Sequence, residues 1–372
     1  MESVVLSAFL FFMEQIFTIE KNQDKYTNFK LKNLKPVFPM KKYRIAIAGA
    51  TGAVGTEMLK TLEKRNFPVE SLRLLASKRS VGKKLKFKNE EITVEELTHN
   101  SFNNIDILLS STSGTLSKVF SPSAVKAGAI VVDNTSAYRM DPDVPLVVPE
   151  VNPDDVKNHK GIIANPNCST IIANVPLWPL YKKYGIKRFI SCTYQAVSGA
   201  GVAAMDELSA QSEDYLKGNE IKSVEFPHQI AFNLFSHNSA IAENSFNEEE
   251  NKMINETRKI FHDDSLLISA TCVRVPVFRA HAEALHIELN NHAEPDDIRK
   301  LLANSPGIKI VDDIENNIFP MPIDASEKYD ILVGRIRKDP VFDNGISMFI
   351  TGDQLLKGAA LNAVQIAELL AE

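Results

Sequence analysis

Cysteine, positive charge and long apolar runs are all scarce in this chain of 372 residues, and each scarcity excludes a class of protein. Three cysteines are too few and too widely separated for a disulfide scaffold or a zinc site, so we expect a reducing compartment and no metal. The 42 Lys and Arg do not exceed the 47 Asp and Glu, which argues against a nucleic-acid partner. The apolar run at residues 4–13 is too short to span a bilayer, so no membrane partner is expected. What remains has the composition of an ordinary soluble globular protein, with 44% hydrophobic residues.

The segment formed by residues 1–39 is predicted to be an extension outside the fold. Glu2 and Glu14 flank its apolar run, which therefore lacks the positively charged start of a secretory signal. The rest of the segment is polar, lysine-rich and irregular, unlike an Arg-rich transit peptide. Two interpretations stay open: an upstream start codon with Met40 as the functional start, or a targeting or membrane-tethering segment.

From residue 40 to about residue 167, the pattern alternates between strands and helices. Short apolar strands are predicted at residues 43–48, 72–76, 106–110 and 130–134, with helical stretches between them. This βαβαβ order predicts an α/β fold, a Rossmann-type doubly wound parallel sheet with right-handed crossovers.

Beyond residue 168 the pattern becomes that of a second, α+β domain. Residues 187–195 and 284–289 alternate apolar and polar side chains, as antiparallel strands with one wet face do. Helical patterns cover three further stretches: residues 169–184, 201–218 and 295–305. An apolar stripe near the C-terminus predicts a last helix that packs back on the first domain. The expected domains are residues 40–167 plus 352–372, and residues 168–351.

A glycine-rich loop follows the first predicted strand. Glycines three residues apart allow a tight turn, and they let backbone N–H groups at a helix start approach a pyrophosphate. The spacing is GxxGxxG rather than GxGxxG, and alone it would be weak evidence, but its place in the first strand–turn–helix unit favours a dinucleotide. The candidate cofactor-binding residues in this loop are Gly49, Thr51, Gly52, Ala53, Val54 and Gly55.

The end of the second strand indicates which dinucleotide is bound. NAD sites place Asp or Glu there for the ribose 2′-hydroxyl, whereas here the chain has no acid. Arg79 has the donors to grip a 2′-phosphate, and Ser77 or Ser80 can add a hydrogen bond. A basic loop that is exposed to solvent and binds no ligand would have a similar sequence. We predict NADP as the cofactor.

Cys168 is the candidate nucleophile because it precedes an apolar helix. The positive partial charge at a helix N-terminus is expected to lower the pKa of the thiol and to favour thiolate. Cys192 and Cys272 lie inside strand-like runs and are expected to be inert.

Seven segments of the chain together resemble one enzyme family. They read GATGAVG, ASKRSVG, DNTSAYRMDPDVPLVVPEVN, ANPNCSTI, TYQAVSGAG, RVPVFRAHAE and GAALNAVQIAE, in order between Lys42 and Glu368. In this order and spacing they resemble the bacterial form of aspartate-β-semialdehyde dehydrogenase. One departure is Ser113, which stands where the family has one of two adjacent glycines, and the N-terminal extension is another.

The resemblance implies an enzyme that reduces β-aspartyl phosphate to aspartate β-semialdehyde with NADPH and releases phosphate. Such an enzyme serves the aspartate-derived pathway to lysine, threonine, methionine and diaminopimelate. Cys168 matches the nucleophile that forms a thioester, His281 the general acid–base and Gln195 the residue that orients the acyl group. The family also implies a cytoplasmic homodimer, with an NADP-binding first domain and a catalytic and dimerisation second domain.

The resemblance also assigns the binding residues. Arg274 matches the residue that grips the α-carboxylate, and Arg139 and Lys252 match a phosphate-binding pair. Glu249 is the expected partner of the ammonium group, although Glu248 and Glu250 stand beside it. Further candidates are Asn167 for substrate, with Ser198, Gly199 and Gln354 for cofactor.

Three alternative functions are also weighed against the sequence. N-acetyl-γ-glutamyl-phosphate reductase shares the thiol and hydride chemistry, but its acylated substrate needs no acid opposite a free ammonium group. A non-catalytic dinucleotide-binding regulatory protein would have no need for Cys168, Gln195 and His281 together. A cysteine hydrolase would leave the glycine-rich loop unexplained.

Overall fold

The computed structural model describes residues 41–372, so the predicted extension lies outside the described residues. Residues 43–372 form one compact unit, which holds two seven-stranded sheets. The predicted boundary between two domains at residue 168 therefore stays a prediction. No helix within residues 41–372 combines the length and apolar character needed to cross a membrane.

Residues 41–372 contain fourteen strands and eight α-helices. The strands are β1 (Tyr43–Ala48), β2 (Val69–Ala76), β3 (Lys84–Phe87), β4 (Glu90–Glu96), β5 (Ile107–Ser110), β6 (Ile130–Asp133), β7 (Ile162–Ala164), β8 (Ile186–Gln195), β9 (Phe235–Ser236), β10 (Leu267–Arg274), β11 (His281–Leu289), β12 (Ile308–Ile310), β13 (Ile331–Lys338) and β14 (Gly345–Gly352). The helices are α1 (Ala53–Lys64), α2 (Gly114–Lys126), α3 (Cys168–Tyr184), α4 (Val202–Lys217), α5 (Glu248–Phe261), α6 (Pro295–Ala303), α7 (Pro322–Ala325) and α8 (Leu361–Leu369).

The first sheet has the strand order β3-β4-β2-β1-β5-β6-β7, and every pair except β3–β4 is parallel. β1 lies between β2 and β5, so the chain winds outward in both directions from it. This confirms the predicted doubly wound sheet. In such sheets a ligand crevice opens beyond the carboxyl ends of the strands where the winding reverses, which here is the loop after β1.

The hairpin β3–β4 was not predicted from the sequence. Its residues are mostly charged and exposed, and the cross-strand ion pair between Lys84 and Glu91 is also exposed, so no apolar alternation marked it. The turn between the strands places Lys88 at a positive φ of 54°, a conformation that its residue type does not signal.

The second sheet has the order β12-β13-β14-β11-β8-β10-β9 and is mainly antiparallel, with parallel pairs only at β8–β10 and β12–β13. One face packs on α3, α5 and α6 around an apolar core. The opposite face leaves Ile190 and Tyr194 of β8 more than one-third exposed. The predicted alternation of a buried and an open face is therefore confirmed for β8.

Two helices connect the sheets. α3 begins at Cys168 and is apolar on nearly all sides, which is why it lies buried against the second sheet rather than on the surface. α8 packs beside α1 on the first sheet, with Val364 and Ala367 in the same core cluster as Met58. The predicted return of the C-terminal helix to the first sheet is confirmed.

Candidate active site

Cys168 is presented by a capped helix start. Asn167 is the N-cap of α3, and its Oδ1 accepts hydrogen bonds from the N–H groups of Ser169 and Thr170 at 3.0 and 3.2 Å. These bonds satisfy two of the free donors at the helix start and fix the turn that holds the thiol.

His281, the first residue of β11, faces this thiol. Its Nε2 lies 3.5 Å from Cys168 Sγ, and the imidazole is fully buried. The N–H of Ala196 donates to Nδ1 at 3.0 Å. Because Nδ1 accepts, the neutral ring carries its proton on Nε2, and that proton points at the sulfur.

Burial keeps both groups uncharged. It raises the pKa of Cys168 to about 12, with the nearby carboxylate of Glu249 as the next cause. The N–H of Ser169 lowers the pKa of the thiol, but this contribution of the helix start is smaller than the effect of burial and smaller than the effect of Glu249. The predicted lowering of the Cys168 pKa is therefore wrong for the substrate-free protein. Burial, followed by the charge of Arg274, lowers the pKa of His281 to about 3.

Gln195 ends β8 directly beside the thiol and is only 1% exposed. Its Nε2 donates to Ser169 Oγ at 2.9 Å and lies 3.4 Å from Glu249 Oε1. A solvent-facing amide at a strand end is thereby excluded, because both polar contacts are to buried groups around Cys168.

Arg274, at the end of β10, is a buried cation that forms no ion pair within residues 41–372. Its Nη1 donates to the carbonyl of Ala196 at 2.7 Å, its Nη2 lies 2.8 Å from His237 Nε2, and the guanidinium stands 5.7 Å from the centre of the Phe226 ring. Burial lowers the pKa of Arg274 from its ordinary value. A buried charge without a partner is costly, so this guanidinium is suited to receive an anion.

The three consecutive glutamates at the start of α5 have different surroundings. Glu249 is buried, accepts from Asn167 Nδ2 at 2.7 Å and pairs with Lys252 at 3.2 Å. Glu250 caps the helix through Asn247, and Glu248 is exposed. Burial acts to raise the pKa of Glu249, but Lys252, His237 and Asn167 together lower it to about 2. The geometry therefore selects Glu249 from the three candidates.

Arg139 is held by a buried acid that the sequence analysis missed. Its Nη1 pairs with Glu256 Oε1 at 3.1 Å, its Nε donates to the carbonyl of Asn165 at 3.0 Å and its Nη2 to that of Asn134. The other oxygen of Glu256 accepts from the N–H of Asn167 at 2.6 Å. Glu256 lies in the middle of a polar helix, so nothing in its sequence context distinguished it from a solvated acid.

These groups line one cavity of about 500 Å³. The predicted residues that the structure brings together there are Val54, Arg139, Asn167, Cys168, Gln195, Gly199, Glu249, Lys252, Arg274, His281 and Gln354. His237 and Ser239 also line it and were missed, because a single His and a single Ser in an irregular segment carry no sequence signal.

The glycine-rich loop reaches the cavity through Val54. A Cβ atom at Gly49 would lie 2.1 Å from the carbonyl oxygen of Ser111, and one at Gly55 would lie 2.2 Å from that of Gly49. Only glycine permits this close backbone packing at the end of β1. Gly52 is the N-cap of α1 and offers no side-chain capping bond, so the free N–H groups at this helix start fit the pyrophosphate of a dinucleotide.

The two predicted cofactor segments touch each other. Thr51 Oγ1 donates to Ser80 Oγ at 3.3 Å, and Ser77 and Arg79 beside it are exposed. Ser113, the departure from the family pattern, is the N-cap of α2 and accepts from the N–H of Leu116. Its backbone is extended, with φ at −81°, so this position does not require glycine.

Ser198 and Gln354 are hydrogen-bonded to one another, and only Gln354 lines the cavity. Gln354 Nε2 donates to Ser198 Oγ, and its Oε1 accepts from the N–H of Ala280 at 2.9 Å. Gly199 packs against the substrate-side groups, since a Cβ atom there would lie 3.2 Å from both Arg274 Nη1 and His281 Cε1. Gly358, in the π-helical turn before α8, approaches Cys168 so closely that a Cβ atom would lie 2.8 Å from that of the cysteine.

Two family descriptions match most of the chain. Residues 44–159 match the NAD binding domain of semialdehyde dehydrogenase, and residues 177–357 match its dimerisation domain. The chain is similar to the aspartate-semialdehyde dehydrogenase of Aquifex aeolicus, at 54% identity over 88% of this chain and 98% of that protein. The one from Bacillus subtilis is 50% identical over 88% and 96% of the two chains.

Solved structures show the same similarity. Aspartate semialdehyde dehydrogenase II from Vibrio cholerae, in complex with ASA, has a TM-score of 0.87 and 44% identity, and covers 89% of this chain and 98% of its own. The enzyme from Candida albicans, solved with NADP, has a TM-score of 0.68 and 28% identity over 89% and 98% of the two chains.

Proposed function

Because the chain belongs to the aspartate-semialdehyde dehydrogenase family, we propose that it reduces β-aspartyl phosphate to aspartate β-semialdehyde with NADPH, by way of a thioester on Cys168. The observation that carries this proposal is the charge arrangement of the cavity. The unpaired cation of Arg274 and the buried anion of Glu249 open into the same cavity as Cys168. An α-amino acid end, with one carboxylate and one ammonium group, complements that arrangement.

Two further cations of the cavity, Arg139 and Lys252, are available to the phosphate, and Lys252 pairs with Glu249 in the substrate-free protein. Arg139 uses three of its five N–H groups on Asn165, Glu256 and Asn134, which leaves two for an incoming anion. Lys252 lines the same cavity. We assign these two cations to the phosphate, and Asn167 and Gln195 to the positioning of the acyl group beside the thiol.

In the first step, the sulfur of Cys168 attacks the acyl carbon, and the bond between that carbon and the phosphate oxygen breaks. The thiol is neutral in the free protein, so its proton must leave during this step. It departs with the phosphate, and the products are a thioester and hydrogen phosphate. The ammonium group of the substrate aids the attack, because its pairing with Glu249 cancels a charge that raises the pKa of Cys168.

His281 acts as a hydrogen-bond donor rather than as the base for the thiol. Its Nδ1 is occupied by the Ala196 N–H and its Nε2 already holds a proton, so neither nitrogen of the neutral ring is free to accept one. The Nε2–H is placed to donate a hydrogen bond to the oxyanion of the tetrahedral species. When the carbon–sulfur bond breaks, the sulfur leaves as thiolate and regains its proton from solvent. NADPH, when bound, supplies the hydride that converts the thioester carbon to the aldehyde.

We infer that NADP binds along the glycine-rich loop, with Arg79, Ser77 and Ser80 at the 2′-phosphate. Gly49, Thr51, Gly52, Ala53, Val54 and Gly55 form the pyrophosphate cradle in this assignment. Ser198 contributes by accepting a hydrogen bond from the Gln354 amide, which it thereby orients. Gly199 has no side chain that would crowd Arg274 and His281, and we assign it to the nicotinamide side of the cavity.

We propose a homodimer formed through the open face of the second sheet. Leu267 of β10 is 53% exposed, and Tyr194 and Phe349 form an aromatic contact on the same side. An apolar sheet face of this kind is stabilised by a second copy. The three free cysteines support a reducing, cytoplasmic location.

The test of the function is a steady-state assay of the full chain in the oxidative direction. Aspartate semialdehyde and N-acetyl-glutamate semialdehyde are compared, each with NADP⁺ and phosphate. We expect turnover of the first and a kcat/KM at least about a hundredfold lower for the second, whose acylated nitrogen leaves Glu249 without its partner. Equal rates for both semialdehydes would contradict the assignment of Glu249.

A further inference from the structure

His237 lies at the far side of Arg274 from the reacting thiol. Arg274 Nη2 and His237 Nε2 are 2.8 Å apart. A guanidinium can only donate, so Nε2 must accept, and the neutral imidazole carries its proton on Nδ1. That nitrogen lies 3.1 Å from Ser239 Oγ, to which it donates. The Ser239 N–H lies 3.3 Å from the same nitrogen. It could donate to Nδ1 only if the ring carried its proton on Nε2 instead, and the hydrogen bond from Arg274 to Nε2 excludes that tautomer.

Ser239 continues the connection to α5. Its Oγ accepts from the N–H of Glu249 at 3.2 Å. A chain of three hydrogen bonds thus runs from the guanidinium of Arg274 through His237 and Ser239 to the backbone of Glu249. It joins the two residues that carry the opposite charges of the cavity.

The backbone holds His237 in this place. Phe235 and Ser236 form β9, the edge strand that pairs with the end of β10, and the N–H of His237 donates to the carbonyl of Cys272 at 2.8 Å. The imidazole is half-buried and stands next to Glu249, Arg274 and Lys252. Burial lowers the pKa of His237 to about 4, with Arg274 and Lys252 acting in the same direction and Glu249 against them. The ring is neutral at pH 7, which is the form that accepts from Arg274.

We propose that His237 is a positioning residue that, together with Ser239, aims Arg274 at the α-carboxylate and fixes its separation from Glu249. This inference rests on the proposed function, because it assigns Arg274 to the carboxylate and Glu249 to the ammonium group. It predicts that the hydrogen bonds through His237 and Ser239 set the affinity for the amino acid end of the substrate. The affinity for phosphate and the reactivity of the thiol do not depend on them.

The experiment measures the KM of aspartate semialdehyde and of phosphate with NADP⁺ for the full chain, for four single variants, and for Arg274→Leu with and without His237→Leu. His237→Leu removes the acceptor, whereas His237→Gln keeps one in its amide oxygen. Ser239→Ala breaks the chain one bond further on. His292→Leu is the control, since His292 is exposed and lies beyond the opposite end of β11. The rate of Cys168 alkylation by iodoacetamide is measured in parallel.

We expect His237→Leu to raise the KM of the semialdehyde about five- to tenfold, the size of an ordinary hydrogen bond, because His237 acts on the carboxylate only through Arg274. The KM of phosphate and the alkylation rate should stay within twofold, His237→Gln should restore most of the affinity, and Ser239→Ala should show a smaller rise in the same KM. In an Arg274→Leu background, His237→Leu should add no further rise, because it acts through Arg274.

The possible failures separate the two proposals. If the unmodified protein does not turn over aspartate semialdehyde, the proposed function is wrong. If that protein is active and Arg274→Leu raises the KM of the semialdehyde while His237→Leu does not, only the inference about His237 is overturned. Equal rises in the KM of both substrates, or no rescue by His237→Gln, would likewise reduce His237 to a structural residue.

Discussion

The loops beside the first sheet and the cavity against the second sheet are built in opposite ways. The glycine-rich loop, our proposed cofactor site, is formed by consecutive residues, and its shape depends on the backbone, where Gly49 and Gly55 leave no room for a side chain. The cavity is formed by side chains from β8, β10, β11, α3 and α5, and three of its charged groups, Arg139, Glu249 and Arg274, are at most 8% exposed.

This difference has consequences for the response to substitution. We expect a change in the exposed loop after β2 to alter the affinity for one ligand and to leave the rest of the molecule unchanged. A change in the cavity removes one member of a buried charged network, so it alters chemistry and stability together. The four predictions that follow test this contrast, from the largest expected effect to the smallest.

Cys168→Ala should lower turnover by about a thousandfold or more, because no other group on the cavity wall can form the thioester. The affinity for NADPH, measured by fluorescence titration, should stay within a few fold. Cys192→Ala and Cys272→Ala are the controls and should keep most activity, since neither lines the cavity. A Cys168→Ala variant with a tenth of the normal activity would refute the covalent mechanism.

Arg274→Leu and Arg139→Leu should each weaken the binding of a different substrate in the same cavity. In the oxidative direction, Arg274→Leu should raise chiefly the KM of the semialdehyde, and Arg139→Leu chiefly that of phosphate, by about two to three orders of magnitude each. Full titrations of both substrates measure this.

The Arg139 variant needs a matched control, because it leaves Glu256 as a buried acid without its cation. The double variant Arg139→Leu with Glu256→Gln removes that unpaired charge, and it should keep the phosphate defect while recovering stability. Identical ratios of the two KM changes in the Arg274 and Arg139 variants would show that neither arginine has the assigned role.

Arg79→Ala should weaken the binding of NADPH about ten- to a hundredfold and that of NADH much less, as the loss of a charge-assisted contact to the 2′-phosphate would. Dissociation constants for both cofactors are compared with those of Lys78→Ala, which removes the neighbouring exposed charge. Unfolding by urea should be unchanged, in contrast to the cavity variants. Equal losses for both cofactors would make Arg79 an ordinary loop charge.

His281→Asn should make the protein less sensitive to acid. Burial lowers the pKa of His281 to about 3 in the folded protein, whereas an unfolded histidine titrates near 6.5. Between these values the unfolded chain binds one proton more, so the free energy of unfolding falls as the pH falls below 6.5. Between pH 7 and pH 5 the variant should lose about 2 kcal/mol less stability than the unmodified protein. Urea titrations at both pH values measure this, and equal losses would mean that the imidazole is charged in the folded state.

The sequence alone determined the features that depend on consecutive residues. The alternation of apolar strands and helices in residues 43–134 predicted the doubly wound sheet, since each strand buries its own apolar run. The glycine spacing in residues 49–55 and the position of Cys168 before an apolar helix were equally local. The resemblance to the family supplied His281, Gln195 and the binding residues, which periodicity does not distinguish from other polar residues.

Only the tertiary structure decided the state of these groups. The pKa of Cys168 rises because α3 is buried and Glu249 is near, whereas the helix start that the sequence shows would have lowered it. Glu256 and His237 gained their contacts to Arg139 and Arg274 from the packing of α5 and β9. The physical reason is that desolvation and the charges of neighbours depend on distances between segments far apart in the chain, and residue type and spacing do not contain those distances.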